Sequence, residues 1–102
     1  MKIAIAALKN NPDSQVSEVA GRAPFYLFFD GGKLVEAVKN PFCVGAGGAG
    51  FAVAEMLGDK KVDFVVAGRF GEKMHSALEG KGVKCRELSG MTAKEALNQF
   101  LN

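Results

Sequence analysis

The chain has no tryptophan, one tyrosine, one histidine, two cysteines and three prolines among 102 residues. Each scarcity excludes something. One histidine, His75, and no C-x-x-C or H-x-x-x-H spacing leave no zinc-type ligand set. Two cysteines, Cys43 and Cys85, do not make a disulfide framework and fit a reducing, cytoplasmic setting. No apolar run approaches the roughly 20 residues that span a bilayer, so no membrane partner is expected. The short apolar start, Met1 to Leu8, is followed by Lys9-Asn10-Asn11-Pro12, a poor signal-cleavage site, and reads better as a buried strand. A formal net charge of +2, with no run of lysine and arginine, gives no footprint for nucleic acid. What remains is ordinary globular material, 48% hydrophobic and 24% charged, of a length suited to a single domain over residues 1–102.

The apolar runs set the order of elements. Ile3–Leu8 is continuously apolar, as in a strand covered on both faces. Lys9–Val16 is polar and punctuated as a loop. Pro24–Phe29 is an aromatic-rich second strand, and Asp30-Gly31-Gly32 supplies hairpin chemistry leading to a third, Lys33–Lys39. Charged ends mark that third strand as a sheet edge. Asn40-Pro41 breaks the pattern, and the run Gly45–Gly50 leads into a helix ending near Leu57-Gly58, with most of its surface expected to be buried. Val62–Ala67 is a fourth strand, and Gly68-Arg69-Phe70-Gly71 opens a second helix that Gly80 and Gly82 end. Val83–Leu88 alternates as a fifth strand, with Cys85 on the core side. Thr92 and Glu95 form a capping box for a last helix.

A hairpin reverses direction, whereas a helical crossover restores it, usually right-handed. The simplest α/β arrangement is a three-layer, five-stranded mixed sheet in the order 3-2-1-4-5 with helices on both faces. Ligands of open α/β sheets bind at the carboxyl ends of the strands. That edge gathers Lys9, Asn10, Asn11, Ser17, Arg22, Cys43, the Gly45–Gly50 run and Arg69. Backbone donors, a positive helix end, cations and one thiol suit an anion or an anionic cluster. The expected binding residues are Arg22, Cys43, Gly45, Gly47, Gly48, Gly50 and Arg69, with Cys43 the metal ligand.

Gly45, Gly47 and Gly50 spell G-x-G-x-x-G, but the acid that a nicotinamide dinucleotide requires at the end of the next strand is missing. Asp63 stands at that strand's beginning, so no nicotinamide cofactor is expected. The glycines serve equally to bring the helix close to the sheet. Cys43 reads either as a small buried hydrophobe or as a thiolate favoured by a helix N-terminus. No base stands near it, since His75 lies past the first turn of the second helix, and no catalytic residue is assigned. Cys85 is expected in the core.

The succession Met1-Lys2-Ile3-Ala4-Ile5, Gly21-Arg22-Ala23-Pro24-Phe25-Tyr26, Asn40-Pro41, the Gly45–Gly50 run, Val62-Asp63-Phe64-Val65-Val66-Ala67-Gly68 and the closing Thr92–Leu101 helix resembles the dinitrogenase iron-molybdenum cofactor biosynthesis family. Its members are similar to NifX and to the C-terminal part of NifB, and the match runs over nearly the whole chain. The resemblance implies a ribonuclease H-like fold and a non-enzymatic protein that binds or carries an iron-sulfur or iron-molybdenum-type cluster or its precursor. A partner protein of cluster assembly is implied with it. Relatives commonly read Ser-x-His-Phe-Gly-Arg-Ala where this chain has Ser17-Glu18-Val19-Ala20-Gly21-Arg22-Ala23, so Val19 replaces a histidine suited to ligating a cluster. Cys43 is then the nearest soft ligand to the glycine run.

Two-metal nuclease chemistry, which the fold also invites, needs several converging carboxylates. The first strand has none, and Glu55 and Asp63 stand apart. Other expectations are a small-anion module using backbone amides alone, and an adaptor that pairs through the free third strand as a monomer or weak homodimer.

Overall fold

Ile3, Ile5 and Ala7 face one side of the first strand, and Ala4 and Ala6 the other. All five are buried, so helices must cover both faces, and they do. The computed structural model describes residues 1–41 and 49–101. Among them the order is β1 (Lys2–Ala7), a 3-10 turn (Ala20–Arg22), β2 (Phe25–Asp30), β3 (Lys33–Lys39), α1 (Ala49–Asp59), β4 (Phe64–Ala67), α2 (Glu72–Gly80), β5 (Lys84–Glu87) and α3 (Ala93–Leu101). The strands form a mixed sheet in the order β3-β2-β1-β4-β5. β1 pairs antiparallel with β2 and parallel with β4, as the crossover argument requires. Among the described residues no helix is long and apolar enough to cross a membrane.

Two apolar clusters hold the layers. On one face Ala4, Ala6, Tyr26 and Phe28 meet Val53, Ala54 and Leu57 of α1 and Met74 and Leu78 of α2. On the other, Ile3, Ile5, Leu27, Phe29 and Val66 meet Ala93, Ala96 and Leu97 of α3. Phe100 of α3 also packs edge-on against Phe64, with ring centroids 5.1 Å apart. α1 is less enclosed than its composition implies: Val53, Ala54 and Leu57 are buried, but Phe51 is 52% exposed.

The local punctuation acts as expected. Gly31 and Gly32 both have positive φ (60° and 82°), the geometry of a tight hairpin turn. The α3 capping box is reciprocal: Glu95 N donates to Thr92 Oγ1 at 3.1 Å, and Thr92 N donates to Glu95 Oε1 at 2.9 Å. Thr92→Ala is expected to cost about 1 kcal/mol of stability in chemical denaturation. The Thr92 backbone N–H first, and the Thr92 hydroxyl after it, hold the Glu95 carboxyl below its ordinary range. Its folded pKa is therefore depressed, so its contribution is present above the ordinary carboxylate range and is lost as pH falls through the lowered value. Glu95→Gln should flatten that part of the acid limb.

The polar stretch after β1 is more ordered than a loop. Residues 15–17 lie against the end of β1, with Leu8 N donating to Gln15 O and Ser17 N to Ala6 O (3.1 and 2.8 Å). Val16 N donates to Met91 O at 2.9 Å, while Pro12 O and Ser14 O accept the first N–H groups of α3 from Lys94 and Ala93. That segment thereby caps a helix and leads the chain into the carboxyl edge of the sheet.

Candidate functional site at the carboxyl edge

The segment Ser17–Arg22 is fastened to the chain leaving β4. Gly68 N donates to Ser17 O at 2.8 Å, Ala20 N donates to Arg69 O at 3.0 Å, and Val19 forms a parallel bridge with Arg69. The approach is close enough that a Cβ on Gly68 would lie 2.6 Å from Glu18 O and 2.7 Å from Glu18 Cα. Glycine is required here by backbone meeting backbone.

Two buried side chains pin the 3-10 turn from beneath. The Tyr26 hydroxyl donates to Ala20 O, and burial raises the pKa of this phenol above its ordinary value. Asn40, 1% exposed, donates through Nδ2 to Ala23 O at 2.8 Å and to Gly21 O at 3.4 Å. This gives Asn40-Pro41 a role that the sequence shows only as a break. The Tyr26 hydroxyl joins the Ala23 N–H on Ala20 O, the Asn40 amide serves the Ala23 and Gly21 carbonyls, and the turn carrying Arg22 is held in one geometry.

Above the pinned turn is a hollow of 480 Å³ lined by Leu8, Gln15, Val16, Ser17, Glu18, Val19, Arg22, Pro24 and Gly90. Its walls are largely apolar: Val16 is buried, Leu8 is 49% exposed, and Val19 stands half-buried. Charge comes from Arg22 and Glu18, both exposed. The Ser17 hydroxyl is turned to Val19 O at 3.3 Å. Among the described lining residues there is no thiol or imidazole. The combination suits a large, soft anion that gains from apolar contact as well as from a guanidinium.

The residues expected from sequence fall into three groups. Arg22 lines the hollow. Arg69 reaches this edge through its backbone, bonded beside Ala20, but does not line the hollow. Gly50 opens α1, where a Cβ would stand 3.1 Å from Met74 Cβ, so this glycine lets α1 and α2 pack closely. Cys43, Gly45, Gly47 and Gly48 lie outside the described residues. Leu8, Val16, Val19, Pro24 and Gly90 were not singled out as a wall. The usable signal was Leu8, the last residue of an apolar run and the first to leave the core.

The other titratable candidates lie elsewhere. Asp63 sits at the amino end of β4, where its carboxylate accepts the Lys2 N–H at 2.8 Å, on the edge opposite the hollow. Cys85 is half-buried on edge strand β5, packed against the α1–α2 cluster without being enclosed by it. Burial, then Glu79 and Glu87, push its thiol up to about 11. A protonated thiol is a poor nucleophile, so alkylation of Cys85 by iodoacetamide at pH 8 is expected to be at least tenfold slower, roughly, than that of an unhindered peptide thiol. Peptide mapping would measure it. His75 is exposed on α2, its Nδ1 3.1 Å from Glu79 Oε1. Among the described residues no three of His, Cys, Asp or Glu gather as a metal site.

Comparison with known proteins resolves the lineage. The sequence matches the family described as dinitrogenase iron-molybdenum cofactor over residues 1–102. The chain belongs to the dinitrogenase iron-molybdenum cofactor family. Among solved structures it is similar to the apo form of the orange protein from Desulfovibrio gigas, with 29% identity and a TM-score of 0.91 over 98% of this chain and 86% of that one. It is also similar to a candidate NifB protein from Thermotoga, with 27% identity and a TM-score of 0.83 over 98% and 86% of the two chains. A candidate dinitrogenase from Methanocaldococcus jannaschii shares the fold at 13% identity, with a TM-score of 0.70 over 99% and 88%. No curated protein matches the sequence significantly. Within the dinitrogenase iron-molybdenum cofactor family, then, this chain has the shared sheet order, and a valine, Val19, in the wall of its carboxyl-edge hollow.

Proposed function

We propose that this protein is a non-enzymatic carrier that holds a metal-sulfur cluster, or a precursor of one, as cargo at the carboxyl edge of its sheet. The observation that carries the reading is the apolar hollow with Arg22 in its wall, built on a pinned turn, in a member of the dinitrogenase iron-molybdenum cofactor family. Sulfide-bridged clusters are anionic and polarisable, and a guanidinium beside Leu8, Val16, Val19 and Pro24 offers them both charge and contact. Arg69 adds a second cation to the same edge. The soft ligand falls to Cys43: the described lining supplies none, and the thiol of Cys85 is kept protonated in another groove. Further backbone donors are assigned to the Gly45–Gly50 run on its sequence alone. Binding and release of such a cargo need no acid or base.

The absence of an imidazole at Val19 favours a second reading, a module for a smaller anion held by Arg22 and backbone amides alone.

Metal and acid-labile sulfide analysis of protein purified without oxygen, before and after reconstitution with iron and sulfide, separates them. The carrier gives stoichiometric metal, sulfide and visible charge-transfer absorption that Cys43→Ser loses. Colourless, metal-free protein after reconstitution rules the carrier out, and a thermal shift with phosphorylated anions that survives Cys43→Ser would support the second reading.

A further inference from the structure

β5 is the outer strand on the side of the sheet away from β3. Its pairing with β4 shows which backbone groups it leaves unpaired by the sheet. Lys84 N donates to Asp63 O and Leu88 N to Ala67 O, both at 3.0 Å. In a parallel ladder that phase turns Lys84, Arg86 and Leu88 toward β4, and turns the N–H and C=O of Cys85 and Glu87 outward.

Beside this edge lies a groove of 440 Å³ between β5 and the first turns of α2, lined by Phe70, Glu72, His75, Cys85, Arg86 and Glu87. Its floor is Phe70 and the half-buried Cys85. Its charge is mainly negative. Glu72 and Glu87 are on its walls, and Glu79, paired with His75, is one helical turn further along. The two cations of β5 are drawn to the opposite face, with Lys84 Nζ 5.5 Å from the Phe64 ring and the Arg86 guanidinium 5.7 Å from that of Phe100. Glu79 and Glu87 both act on the Cys85 thiol, raising its pKa, so their field reaches the floor.

We propose that the groove between α2 and β5 is a docking site for an extended segment of a partner protein, which adds to β5 as a further strand and places a lysine or arginine among Glu72, Glu79 and Glu87. An outward strand edge beside a helix supplies main-chain hydrogen bonds for affinity and a groove for alternate side chains. The carboxylates then select a basic residue, and Phe70 with Cys85 receives its aliphatic stem. A metal ion is the poorer occupant, since no three ligating side chains gather among the described residues. The other edge, β3, is guarded: Lys33 and Lys39 flank it, a bulge breaks its register opposite Phe28 and Phe29, and Glu36 is taken by Lys60. This site lies apart from the carboxyl-edge hollow, with no lining residue in common.

The test is selection from a displayed library of random decapeptides against the intact chain, followed by titration of the ¹⁵N-labelled protein with the enriched peptide. Enriched sequences should carry lysine or arginine. The amides of Cys85, Glu87 and residues 70–79 should shift, and Glu72→Gln with Glu87→Gln should weaken binding about tenfold or more. Glu87 Oε2 accepts the Phe70 N–H at 3.2 Å, and glutamine there keeps an acceptor for it; circular dichroism checks the fold of both variants. N-methylation of the peptide's alternate amides should abolish binding in one phase and spare it in the other, as an added strand requires. No enrichment, acidic winners, indifference to both methylation phases, or shifts centred on β3 or on the carboxyl-edge hollow would each overturn the proposal.

Discussion

Gly68→Ala should lower stability by about 2 to 3 kcal/mol and the melting temperature by about 10 to 20 °C. The added Cβ meets Glu18 O at 2.6 Å, Glu18 Cα at 2.7 Å and Glu18 C at 3.0 Å. These are backbone atoms, so no rotamer change relieves the overlap. The neighbouring bonds, Gly68 N to Ser17 O and Ala20 N to Arg69 O, have to lengthen together, and the turn carrying Arg22 loses its register against β4. The same variant should therefore also lose cargo. Gly71→Ala is the control: a Cβ there meets nothing within 4 Å, φ is −66°, and the change should stay within about 0.5 kcal/mol. Thermal denaturation of the pair decides it. Equal stability of both variants would mean that segment 17–20 is not seated on the end of β4.

Arg22→Glu acts on the site and spares the core. Arg22 is exposed on a turn whose Ala20 and Ala23 carbonyls are held by Tyr26 and Asn40. Stability should change by less than about 1 kcal/mol. For an anionic cargo, removing a charged donor and installing a carboxylate next to Glu18 should weaken binding by about 10- to 100-fold. Arg22→Lys, which keeps the charge but not the fork, should fall between. Metal and sulfide retained after desalting measure the series, and rising salt should narrow the gap between the native protein and the charge-reversed variant. Unchanged retention in the charge-reversed protein would place the cargo elsewhere.

Much of the fold was legible because its signals are local. The apolar run Ile3–Leu8 marks a strand covered on both faces, Asp30-Gly31-Gly32 marks the hairpin, and Thr92 with Glu95 marks the start of α3; each is where the sequence puts it. From these the order β3-β2-β1-β4-β5 follows. The stretch Lys9–Val16 was not legible. Its order comes from single long-range backbone bonds, such as Val16 N to Met91 O, which leave no periodic trace in a mostly polar stretch of eight residues. Ser14 and Ser17 are buried for the same reason, each with its hydroxyl bonded to a nearby backbone carbonyl. Cys85 looked like a core residue from its alternation with Lys84 and Arg86. On an edge strand that side is only half covered, and the thiol faces a groove.

The site was legible in part. Topology places Arg22 and Arg69 at one sheet edge, and that depends only on strand direction. It does not say which guanidinium borders a cavity, which depends on how the 3-10 turn is pinned. Asn40 shows the gap most clearly: it reads as a strand terminator in sequence, while in the fold its amide supports Ala23 and Gly21.

The central claim is that cargo rests at the carboxyl edge of the sheet. An amide-resolved NMR comparison of metal-free and reconstituted ¹⁵N-labelled protein tests it most directly. The account predicts that the signals of Leu8, Val19, Arg22 and Gly68 shift or broaden on loading, while those of Gly31, Gly32, Lys60 and Lys61 at the opposite edge stay in place. Broadening centred on that opposite edge, or no change anywhere after reconstitution, would contradict it.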